Sequence, residues 1–144
     1  MSAGTKYIIP IKFILIIFHL LVVTITIYSP IQNIYAGIPA NTPIGEKSIY
    51  TPALNETQAV GSINLIFLII ELCILVFGQN LFYDFFNSLQ IFIHFIGAFL
   101  TTWYIIEGWN YRSLKYIFGV FTVIPMCLEF FPLVIYLVKK SKQM

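Results

Sequence analysis

A chain of 144 residues that is 59% hydrophobic, only 10% charged and of net charge +2 cannot cover a water-soluble surface, for which about a quarter of the residues must be charged. Its mean hydropathy of +0.88, with charge clustered at the edges of apolar runs, marks an integral membrane protein. The net charge is too small for nucleic acid, and no basic patch is interleaved with aromatics.

Residues 1–12 are short and basic, with Lys6 and Lys12. The run Ile11 to Tyr28 follows; its residues span about 27 Å as a helix, close to the minimum for a bilayer crossing. A basic start, an apolar core and Ala36-Gly37 also fit a signal peptide, but the run is long for a signal core and contains His19, so a first span is expected. Residues 29–55 hold Pro30, Pro39, Pro43 and Pro52 with Gly37 and Gly45. Proline at that density predicts an extended, non-cytoplasmic loop, the longest in the chain. Asn55-Glu56-Thr57 is a possible glycosylation sequon.

Asn55 with Gln58 reads as a capping box opening a second span over about residues 56–77, stopped by Gly78. After the hinge QNLFYDFFN, Asn87 with Gln90 reads as another, opening a third span over about 88–106. Ser113 is the expected cap of a last span over about 114–138, bent or broken at Pro125 and Pro132. The fold class is therefore an all-α integral membrane protein of one domain, four transmembrane helices in an antiparallel bundle. Lys6, Lys12, Lys139, Lys140 and Lys142 lie in the terminal segments, against Lys47, Arg112 and Lys115 in the loops. That asymmetry predicts cytoplasmic N- and C-termini. Tyr7, Tyr83 and Tyr136 on one side, and Tyr28, Trp103, Trp109 and Tyr111 on the other, fit interfacial belts.

Each span carries one face of small and polar residues. On the second these are Gly61, Asn64, Leu68, Glu71, Leu75 and Gly78; on the third, Gln90, His94, Gly97, Ala98 and Thr101. The fourth has Thr122, Pro125, Glu129 and Pro132, and the first has Lys12, His19 and Thr26. In lipid such faces mark helix–helix contacts, because leucine gains nothing there by meeting another helix. His19, Glu71, His94 and Glu129 fall at similar depth, and ionisable groups there cost about 2.5–3.5 kcal/mol each unless paired. The expected pairs are Glu71 with His94 and His19 with Glu129, with Asn64 and Thr101 completing the intramembrane polar packing.

Catalytic chemistry has no visible site: there is no Ser/His/Asp set, phosphate cradle or metal-spaced cluster, so no enzyme, cofactor or metal is expected. Cys73 and Cys127 lie in apolar runs and read as small packing residues. Arg112, Lys115 and the terminal lysines read as contacts to lipid headgroups.

Several landmarks resemble one known family in order and spacing. They are Phe18-His19-Leu20-Leu21-Val22-Val23, Asn33-Ile34 with Ala36 and Pro39, Glu71-Leu72, and Asn87 to Leu89 with His94. Ile106-Glu107-Gly108-Trp109, Tyr116-Ile117-Phe118, and Pro125 with Glu129 follow. The chain resembles the transmembrane protein 107 family over nearly its whole length, departing from it between Ala40 and Gln58 and at Phe82 to Phe86. The resemblance implies a non-enzymatic four-span protein of the ciliary transition zone, in the Meckel-syndrome module. Its implied partners are tectonics and other multi-span transition-zone proteins, alongside membrane lipids. Its implied role is cilium assembly and gating of ciliary membrane composition. Two alternatives stand beside it: an accessory subunit of another membrane complex, and a small proton- or ion-conducting protein using the His/Glu cluster.

Overall fold

The computed structural model describes residues 3–40, 47–77 and 84–141, which form helices joined by short turns with no strand among them. The elements are α1 (Ala3–Tyr28), α2 (Ile31–Gly37), α3 (Lys47–Val76), α4 (Asp84–Ile106), α5 (Ser113–Phe118), a π-helical turn (Gly119–Val123) and α6 (Ile124–Ser141). Four stretches are long and apolar enough to cross a membrane: Lys6–Tyr28, Ser48–Val76, Asp84–Ile106 and Ser113–Phe131. The chain is an all-helical, four-span integral membrane protein.

The helices extend beyond the apolar runs. α1 begins at Ala3 and passes through Pro10, and α3 begins at Lys47 and passes through Pro52. Each proline lies near the start of its helix, where its missing N–H removes a single backbone bond. The segment 29–55 is therefore not one extended loop. Pro30 stands at the N-cap of α2, its carbonyl accepting from the Ile34 N–H at 3.0 Å, and α3 is already formed well before residue 55. Asn55 and Asn87 likewise sit inside α3 and α4 rather than at their caps. Gly78 and the hinge residues up to Tyr83 lie outside the described residues.

The four spans form a square. Cα atoms within 8 Å of each other join α1 to α3 and α4, and join both of these to the last span. Among the described residues, no such approach joins α3 to α4, or α1 to α5 and α6. Consecutive spans α3 and α4 are therefore diagonal partners, and so are the first and last spans. Two contacts at a constant offset of 75 residues, Lys12 with Asn87 and His19 with His94, show that α1 and α4 run parallel. α4 and the last span are antiparallel, Gln90 meeting Glu129 near one end and Gly97 meeting Phe121 further along.

The surface is apolar and the centre is polar. Ile14, Phe18, Leu21 and Ile25 on α1 and Phe92, Phe95, Phe99 and Trp103 on α4 face outward. Lys12, Asn87, Gln90, Glu71 and Glu129 are buried. That inversion is what lipid as solvent selects, since an apolar side chain is at home there and a polar one must find protein.

Candidate functional site

The polar centre is built in layers along the bundle axis. Nearest the end where α1 begins and α6 ends, Lys12 Nζ donates to Glu129 Oε2 at 2.8 Å and to Asn87 Oδ1 at 3.0 Å. Gln90 Nε2 donates to the same Glu129 oxygen at 2.7 Å and to the Pro125 carbonyl at 3.1 Å. α1 starts early enough to place Lys12 inside the bundle, although its position in sequence suggests a flanking charge. The ion pair crosses one diagonal of the square, where two long side chains span a gap the backbones do not close.

His94 lies four residues, just over one turn, further along α4 from Gln90, about 6 Å along the axis. Its Nε2 is 3.2 Å from Glu71 Oε2, a contact across the other diagonal that is close but not aligned as a hydrogen bond. Its Nδ1 is 3.3 Å from His19 Nδ1, with the two rings edge to face at 67°. The expected His19–Glu129 pairing is thus not what forms: Glu129 takes Lys12, and His19 turns to His94. Charge explains the exchange, because an ammonium, with three donors, compensates a buried carboxylate better than a neutral imidazole does. Gly97 makes room for this layer. A Cβ there would stand 2.7 Å from Phe121 Cβ and 2.8 Å from His19 Cε1.

Beyond the histidines, Thr122 Oγ1 donates to Asn64 Oδ1 at 2.8 Å, joining the last span to α3. Thr101 is fully buried, but its hydroxyl bonds the Gly97 carbonyl of its own helix at 2.7 Å. The π turn sets the phase of this face. Leu114 and Ile117 are buried on α5, and a continuous α-helix would carry that face on to Phe121 and Leu128. The extra residue instead turns Thr122 and Glu129 inward, with Pro125 buried between them. Pro125 has no N–H for the Phe121 carbonyl, which favours the bulge just ahead of it.

The far end is closed differently. Gly108, at φ +58°, ends α4 in a Schellman motif in which the Trp109 N–H bonds the Tyr104 carbonyl at 3.2 Å and the Gly108 N–H bonds the Ile105 carbonyl at 3.4 Å. Asn33 of α2 donates both amide hydrogens there, to the Tyr104 and Trp109 carbonyls, each at 2.8 Å. Its own carbonyl accepts from the Tyr111 N–H at 3.0 Å. Ile34, Ala53 and Tyr111 form a small apolar cluster at this end.

Sequence reasoning placed Lys12 and Gln90 on inward faces but gave them no partners, and it read Asn87 as a cap and Asn33 only as a loop landmark. The signal for Asn87 is its position seven residues, two turns, before His94 on the same face. Asn55 is exposed on α3, while the Thr57 hydroxyl is buried and bonds the Ala53 carbonyl at 2.8 Å. Lys115 pairs with Glu56 at the surface. Cys73 and Cys127 are free and exposed on outward faces rather than packed inside. No three His, Cys, Asp or Glu among the described residues are arranged to hold a metal ion. The chemistry available to the centre is hydrogen bonding, ion pairing and proton exchange.

A family model, TMEM107, described as a transmembrane protein, matches residues 8–133. No curated protein and no solved structure matches the chain.

Proposed function

Taking as premise that the chain belongs to the TMEM107 family of transmembrane proteins, we propose that it is a non-enzymatic scaffold of the ciliary transition zone. In this reading it works in the Meckel-syndrome module beside tectonics and other multi-span proteins, with its termini in the cytoplasm. There it supports cilium assembly and helps to set the composition of the ciliary membrane. The observation that carries the reading is the family match across nearly the whole chain. The architecture suits it: polar contacts are spent inward on holding four spans in register, leaving apolar outer faces for neighbouring helices and lipid.

Locating the tagged full-length protein in ciliated cells tests the proposal. Signal concentrated at the ciliary base, with shortened or missing cilia and leakage of ciliary membrane proteins on depletion, is the expected result. Signal in mitochondria or another membrane with none at the ciliary base overturns it.

A further inference from the structure

The row Glu71–His94–His19 has a property that a set of packing contacts does not need. His94 has a polar neighbour at each ring nitrogen: His19 Nδ1 in hydrogen-bond contact at 3.3 Å, and Glu71 Oε2 at 3.2 Å but off the line of a hydrogen bond. A neutral imidazole has one N–H and one bare nitrogen, so the direction of one contact fixes the direction of the other. If His94 donates to the Glu71 carboxylate from Nε2, its Nδ1 must accept from His19. If Glu71 is protonated and donates to His94, then His94 must donate onward to His19. With the Glu71–His94 contact brought into line, the row has two complete hydrogen-bonding directions that differ by one proton. Its two ends, Glu71 Oε1 and His19 Nε2, are buried atoms with no hydrogen-bond partner among the described residues, as are Glu71 Oε2 and His94 Nε2 at the unaligned contact between them.

The other charged groups facing the row are Lys12 on α1 and Glu129 on α6, which pair with each other at 2.8 Å and cancel. With Glu71 ionised the centre carries one uncompensated negative charge. With one proton added it is neutral, the condition a membrane interior favours.

We infer that Glu71, His94 and His19 form a proton-binding relay that holds one exchangeable proton and passes it between the Glu71 carboxyl and the outer nitrogen of His19. In the loading direction a proton arrives at His19 Nε2. The Nδ1 proton of His19 moves to His94 Nδ1, and the Nε2 proton of His94 moves to Glu71 Oε2. Two N–H bonds break, two N–H bonds and one O–H bond form, and the charge of the row rises from −1 to zero. The His94–Glu71 contact, which is off the line of a hydrogen bond, must swing into alignment for the last transfer. The relay is local to the bundle centre and is independent of where in the cell the protein resides.

The chain contains only two histidines, so ring-nitrogen magnetic resonance on the full-length, histidine-labelled protein in lipid nanodiscs resolves both. Infrared spectroscopy of the same samples follows the protonated carboxyl band. The expected result is that His19 and His94 exchange tautomers together, at the pH where the Glu71 carboxyl band disappears. Glu71→Gln should lose both that band and the paired exchange. Histidines that keep one tautomer while Glu71 titrates, that change independently of each other, or a Glu71 carboxyl with no protonated band at any pH, overturn the relay. The wild-type spectra decide alone if the variant does not fold.

Discussion

The two ends of the bundle solve the same problem by different means. At the α2 end, Asn33 binds the Tyr104 and Trp109 backbone carbonyls where α4 terminates, and an apolar cluster lies at the same end. Toward the end where α1 begins and α6 ends, side chains bind side chains, and polar groups on diagonal helices meet through the centre. A contact to backbone closes a helix end whatever residues neighbour it. A contact between side chains works only when two particular helices face each other in one register. The first kind seals the bundle and the second kind identifies its helices. A buried ion pair adds little net stability over a well-packed apolar pair, but it penalises every arrangement in which its halves are apart.

The comparison breaks most sharply at Lys12. Lys12→Met strands the Glu129 carboxylate in the interior and should destabilise the bundle by about 3–5 kcal/mol, read as a loss of folded protein in denaturant titrations of reconstituted material. Gly97→Ala crowds His19 and Phe121 and should cost about 1–3 kcal/mol. Thermal melting should show it, accompanied by altered histidine ring signals. At the other end, Asn33→Ala deletes two hydrogen bonds and should cost about 1–2 kcal/mol. Its effect should appear as faster amide exchange near Trp109 and Tyr111, with the histidine layer unchanged. The smallest effect belongs to Thr122→Val, which removes a single interhelical hydrogen bond worth about 0.6 kcal/mol by the average for membrane helices.

Much of this architecture is legible in the chain. The four apolar runs give the spans, and small and polar residues recurring at three- and four-residue steps give the inward faces, including those of Lys12 and Gln90. Partner choice is harder to read. Counting depth from the edge of each apolar run put His19 and Glu129 at one level. α1, however, starts at Ala3 and places Lys12, two turns before His19, beside Glu129. The diagonal placement of α3 and α4 has no signature in periodicity, because a sequence shows which face turns inward and not what lies opposite. The π turn is equally silent except for Pro125, and Pro30 and Pro52 point to loop where the N-cap of α2 and the first turns of α3 accommodate them.

The claim that an ion pair bridges the diagonal between the first and last spans is tested most directly by a double-mutant cycle at Lys12 and Glu129 in a lipid bilayer. With the pair formed, Lys12→Met and Glu129→Leu each destabilise strongly, and the double variant returns to within about 1 kcal/mol of the parent, because no unpaired charge remains. Losses that simply add in the double variant would contradict the pairing, and with it the arrangement of the four spans around it.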